Sequence, residues 1–131
     1  MEGEIVCLDT SILIDYFRKK NKENSFFYKL IELGYSFSVT SITTFQIYRG
    51  IIAQQRSFWD DLFRRIEVLS FDEEASKMAA TLLQKLNSRN NPLALSDLFI
   101  AAIAIQNKQR LVTLNKKHFG ENCRAEFTSL F

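Results

Sequence analysis

The sequence predicts an α/β fold, a sandwich of helices around a mostly parallel sheet of four or five strands. Short apolar or β-branched runs alternate with amphipathic stretches along the chain, the pattern of strands connected by helices. The stretch at 97–106 is apolar on nearly every face, so it belongs in the middle of a domain. A length of 131 residues with 47% hydrophobic content suits one domain with its own core, here taken as 1–131.

Each element has its own signal. Residues 5–8, IVCL, are led in by Gly3 and stopped by Asp9, and read as a buried strand. A helix follows over about 11–17, with Thr10 or Ser11 as its cap. The run RKKNKEN at 18–24 reads as an exposed connection. Phe26, Phe27, Leu30, Ile31 and Leu33 recur at helical spacing, and Gly34 ends that helix. Residues 35–40 alternate aromatic or β-branched side chains with serines, a second strand. A helix over 41–52 follows, although its threonines and isoleucines lower its propensity.

A shorter helix around 58–63 leads into a third strand at 66–69. Asp72 with Glu73 and Glu74 makes a well-formed helix start, a cap followed by negative charge in the first turn. Ala75, Met78, Ala79, Leu82, Leu83 and Leu86 then share one helix face, ending near Arg89 before Asn90, Asn91 and Pro92. Ser96 caps the apolar helix at 97–106. Residues 111–114 form a fourth strand that stops at Asn115, and the tail can add a short edge strand. There is no internal repeat and no low-complexity segment.

Composition removes several function classes. A formal charge of +2 neither demands nor excludes nucleic acid, since local patches decide that. The two cysteines, Cys7 and Cys123, make neither a disulfide framework nor a zinc site, and Cys7 reads as a small buried hydrophobe. The single histidine, His118, excludes a His-rich metal cluster, and a Ser–His–Asp triad would require His118 itself as base. The N-terminus lacks the pattern of a signal peptide, and no window approaches the roughly 20 apolar residues of a membrane span. A cytoplasmic protein is expected. With four glycines and no glycine-rich phosphate loop, a receiver or nucleotide-binding domain is disfavoured.

In open parallel sheets, ligand sites lie beyond the carboxyl ends of the strands. Asp9 follows the first strand and Asn115 the fourth, while Asp97 opens a helix expected to be buried. Taken singly, each reads as a cap or turn residue. Taken together they suggest a metal site, because a carboxylate entering an apolar core is costly unless paired or metal-bound. Oxygen-only ligands point to Mg2+ or Mn2+, which suits phosphoryl chemistry.

These residues resemble a known family. IVCLDTSILIDYF is similar to the opening of PIN domains, whose first strand ends in a metal-binding aspartate followed by Thr-Ser or Thr-Asn. LALSDLFIAAIAIQNKQRLVTLNKKHF resembles their C-terminal signature, in which an aspartate opens a small-residue helix and Thr-x-Asp or Thr-x-Asn follows the next strand. SVTSITTFQIYRG resembles the middle motif, which normally carries a glutamate four residues before a glycine. The likeness spans about residues 5–119 and is nearest to VapC-type toxins, compact PIN ribonucleases paired with an antitoxin.

The resemblance implies a PIN-like three-layer sandwich and a metal-dependent endoribonuclease acting as the toxin of a toxin–antitoxin pair. RNA would be its substrate, a VapB-like antitoxin its partner, and a homodimer its assembly. It makes Asp9 and Asp97 metal ligands and, with Gln46 and Asn115, the catalytic set. Ser11 and Thr113 match small hydroxyl positions lining the site and, with the basic Arg49 and Lys116, are substrate-binding candidates. Gln46 stands where a glutamate is expected, counting back from Gly50, and an amide offers no charge and no general base. Three readings stay open: a weak but active nuclease, a degenerate PIN fold that binds RNA or a partner, or an engineered Glu→Gln protein.

Further basic candidates for phosphate contact are Arg18, Lys19, Lys20 and Lys22 near the first helix, and Lys117. Asp15 reads as a solvated or salt-bridged helix residue. His118 suits a structural or substrate-side role. Trp59, in the aromatic stretch 58–63, reads as core or as a dimer or antitoxin surface.

Overall fold

The structure, a computed structural model, describes residues 3–88, 94–114 and 127–128. Five strands, β1 (Ile5–Leu8), β2 (Ser36–Thr40), β3 (Glu67–Leu69), β4 (Leu111–Val112) and β5 (Phe127–Thr128), form one sheet in the order β3-β2-β1-β4-β5. The first four are parallel and β5 runs antiparallel to β4, as the expected edge strand. Among the described residues six helices connect them: α1 (Thr10–Arg18), α2 (Phe26–Glu32), α3 (Ser41–Gly50), α4 (Arg56–Arg64), α5 (Glu73–Ser88) and α6 (Leu95–Gln106).

The period of two along β1 assigns the layers. Val6 and Leu8 pack with Ile12 and Leu13 of α1, Phe27 of α2 and Trp59 of α4. Cys7, between them, points the other way, onto Ile100 and Ala104 of α6. On that second face α5 and α6 pack through Ala79, Leu82 and Leu86 against Leu98, Ala101 and Ala102. The result is the expected three-layer α/β sandwich. Trp59 is 1% exposed, which settles its place as core, and Cys7 is a fully buried thiol that burial pushes up to about 12. Leu83, expected on the buried face of α5, is 42% exposed.

Several boundaries differ from the sequence reading, each for a local reason. Helix α1 begins at Thr10, with Asp9 in the capping position and making no side-chain cap bond. Thr10 and Ser11, expected as caps, are therefore helical, and their hydroxyls are free for other partners. Helix α6 begins at Leu95 after Ala94, so Ser96 lies inside the helix and is not its cap. Helix α3 ends at Gly50 because Ile51 is extended, and its start is capped by Thr40, whose hydroxyl accepts from Thr43 N at 3.1 Å. Strand β4 stops at Val112, two residues early. Its neighbour β1 has already ended at Leu8, and Leu114 N donates to Ser11 Oγ at 3.0 Å instead of a strand. Asp72 caps α5 as expected, Oδ1 accepting from Ala75 N at 2.9 Å. Gly34, at φ 91°, occupies the left-handed region just past α2. The expected break at Asn90, Asn91 and Pro92 lies outside the described residues.

The basic connection after α1 is not simply solvated. A 3₁₀ turn, Lys22–Asn24, sits within it. Lys22 Nζ donates to the carbonyls of Tyr16, Phe17 and Lys19 at 2.7, 2.7 and 2.9 Å and lies 5.2 Å from the Tyr16 ring centroid. A cation there satisfies the orphan carbonyls of the α1 C-terminus, so Lys22 is engaged in structure rather than held out for phosphate.

Candidate active site

The carboxyl ends of β1 and β4 open into a cavity of about 800 Å³. Asp9 enters it directly from β1, and Asp97 enters from the first turn of α6. The two are only 3% and 7% exposed. Helix α3 contributes Gln46 and Arg49 to the wall, and α1 contributes Thr10, Ser11, Asp15, Arg18 and Lys19.

Asp9 is held from beneath. Its Oδ2 accepts from Ser11 Oγ at 2.8 Å and from Thr113 Oγ1 at 2.7 Å, and neither bond uses Oδ1. The hydroxyls thereby fix the rotamer of the carboxylate and leave its other oxygen to the cavity. Thr113 is fully buried and does not line the cavity; its hydroxyl reaches the site through Asp9, a positioning place rather than a substrate contact. Ser11 lines the cavity, and its Oγ also anchors Leu114 N.

Gln46 is held by a second set of hydroxyls. Thr10 Oγ1 donates to Gln46 Oε1 at 2.6 Å and lies 3.0 Å from Thr43 Oγ1. Neither Thr10 nor Thr43 was singled out as a site residue by the sequence reading. The available signal was positional: Thr10 directly follows Asp9, and Thr43 precedes Gln46 by three residues, on the same helix face. A glutamate at 46 would accept the same Thr10 proton, so this wall suits an amide and a carboxylate equally well.

The rim is cationic. Arg18 and Arg49 line the cavity, and neither makes an ion pair among the described residues. Lys19 also lines it and pairs with Asp15 at 3.6 Å. Asp15 in turn accepts from Phe26 N at 3.0 Å, joining α1 to the start of α2. That salt-bridged role is the one expected for it. Lys20 does not reach the cavity. Asn115, Lys116, Lys117 and His118 lie outside the described residues, as does Cys123.

The donor set fits a hard divalent cation. Every candidate ligand is an oxygen: the Asp9 and Asp97 carboxylates and the Gln46 amide oxygen. Two nearly buried carboxylates facing one cavity repel unless a cation joins them, and no side-chain cation pairs with Asp9 among the described residues. Among those residues there is no group of three or more His, Cys, Asp or Glu side chains placed for a metal, so the charge supplied is low.

Comparison with known proteins identifies the family. A sequence model of the PIN domain matches residues 6–124. The chain belongs to the PIN domain family. Among curated relatives, Ribonuclease VapC1 of Methanocaldococcus jannaschii is 33% identical over 119 residues, which are 90% of this chain and 81% of that protein. Ribonuclease VapC3 of the same organism is 32% identical over 96 residues, 73% of this chain and 94% of that one. Among solved structures, VapBC2 from Rickettsia felis, bound to a promoter DNA fragment, matches with a TM-score of 0.76 at 23% identity, covering 97% of this chain and 98% of that one.

Proposed function

We propose that this PIN domain is an endoribonuclease toxin of the VapC type, dependent on Mg2+ or Mn2+, with RNA as substrate and a VapB-like antitoxin as partner. The names of the relatives support the ribonuclease reading, and the complexes among the structural neighbours support the partner. One observation carries the chemistry: two carboxylates, nearly buried, face a single cavity whose rim bears two arginines without ion pairs among the described residues.

Asp9 and Asp97 would hold the cation, with Gln46 Oε1 as a neutral third donor. When bound, a divalent cation offsets charge on a phosphodiester and lowers the barrier to water attack. The chain's own residues do the rest. Arg18 and Arg49 draw the phosphate backbone to the cavity mouth and fix its orientation. Ser11 and Thr113 keep the Asp9 carboxylate in one rotamer, so its position is set before substrate arrives. Asn115 is assigned to catalysis from the family pattern, and Lys116, next to it in the chain, to phosphate binding from its charge. A homodimer is the assembly proposed.

Gln46 favours a second reading, a PIN fold that binds RNA or a partner without cutting. Cleavage of a mixed RNA panel in Mn2+ separates the two. We expect the protein to cut, Asp97→Asn to lose at least about 100-fold, and Gln46→Glu to cut at lower metal concentration because it adds a charge to the ligand set. Cutting by Gln46→Glu alone would mean an intact site disabled at one position. Failure of both proteins in excess metal would leave the binding module as the reading.

A further inference from the structure

Beside the acidic cavity lies a second hollow of about 340 Å³, within the range of small-ligand pockets, about 300–1,000 Å³. Phe45 of α3 and Leu95 and Phe99 of α6 give it apolar walls, and it shares Gln46, Arg49 and Ser96 with the cavity. Phe45 is 64% exposed and Leu95 59%. The Arg49 guanidinium lies 5.9 Å from the Phe45 ring centroid. A flat aromatic face and an arginine without an ion pair among the described residues therefore stand beside the cavity that holds the carboxylates.

We propose that this hollow is a nucleobase subsite: the base of the nucleotide beside the cleaved phosphate leaves its stack and lies on the Phe45 ring, while Arg49 holds the phosphate at the wall common to both hollows. The proposal rests on the ribonuclease reading above. In a nucleotide, base and phosphate are joined through one sugar, so a single residue of RNA reaches two hollows that share a wall. Single-stranded nucleic acid is held by this pairing of a cationic track with an aromatic platform, and unstacked bases are what proteins read in RNA. Leu95 offers an apolar edge to the base, and the Gln46 amide and Ser96 hydroxyl supply the polar groups that a base edge can bond.

The test uses single-stranded 12-nucleotide RNAs of mixed sequence carrying 2-aminopurine at successive positions, read by anisotropy and by 2-aminopurine quenching without divalent metal. Stacking on Phe45 predicts quenching at one position only. It predicts about tenfold weaker binding in Phe45→Ala with loss of that quenching. Phe45→Trp should keep both, and Phe45→Leu, apolar but without a ring face, should behave like Phe45→Ala. Phe45 is exposed, so far-UV circular dichroism should show all three variants folded. Unchanged affinity and quenching in Phe45→Ala would overturn the subsite while leaving the nuclease intact, provided the unsubstituted protein still cuts RNA. Conversion of a dimer to a monomer by Phe45→Ala in sedimentation, with quenching unaltered, would assign the hollow to a second copy and overturn it as well. No RNA binding and no cutting by the unsubstituted protein would remove both this proposal and the reading beneath it.

Discussion

The two faces of the sheet are packed by different means. On the face of α1, α2 and α4, rings meet rings: Tyr16 with Phe27 at 5.1 Å, Phe17 with Trp59 at 5.3 Å, and Trp59 with Phe63 at 5.8 Å between centroids. On the face of α5 and α6 the buried side chains include Ala79, Ala101, Ala102 and Ala104, with one aromatic pair, Phe71 and Phe99, only partly buried. Large side chains fill space between helix and sheet with dispersion contacts, whereas alanines let a helix backbone come close. That closeness matters because α6 carries Asp97 in its first turn, and Asp97 must reach the cavity that Asp9 enters from β1. One face therefore supplies bulk stability, and the other sets the position of a carboxylate.

This contrast can be broken by substitution. Trp59→Ala should have the largest effect on stability, about 3–5 kcal/mol by urea unfolding, because it empties the middle of the ring cluster. Cleavage per folded molecule should be retained. Ala104→Leu should cost about 1–3 kcal/mol through overpacking against Cys7 and β4, yet reduce cleavage well beyond the loss of folded protein, because α6 must shift. If the two variants exchange these behaviours, with Trp59→Ala silencing the folded enzyme and Ala104→Leu sparing it, the division between the faces is wrong. Lys22→Met should be mildest, about 1 kcal/mol, since it removes the cation at the α1 C-terminus but keeps an apolar stem against the rings. Its cleavage should match the unsubstituted protein; a large drop would mean that Lys22 also serves substrate.

Much of this arrangement was legible in the sequence, for reasons that are local. IVCL bounded by Gly3 and Asp9 is consistent with a short buried strand, and the small apolar run of α6 belongs inside a domain. Asp9 and Asp97 stand out because a carboxylate beside such runs needs a reason, and the fold brings both to one cavity. What escaped depended on contacts between distant segments. Thr10 reads as a cap until α3 brings Gln46 to within 2.6 Å of it. Lys22 reads as one basic residue among four until the chain turns back over α1. Phe45 lies in a helix with no local signal that its ring is left in solvent, which the folded structure shows. Helix starts were misplaced at Ser11 and Ser96 for a related reason: hydroxyls that suit a cap also suit a polar site, and local sequence cannot tell the two uses apart.

The hydroxyl of Thr113 and the carboxylate of Asp9 are 104 positions apart in the chain. On the ribosome, the first strand emerges long before its counterpart in the site, so the cavity stays unfinished while the residues between them are made. A nascent chain that has exposed only its first hundred residues holds Asp9 and Gln46 without the strand that pins the acid in place. The topology thus delays completion of the cavity until the segment of β4 has followed.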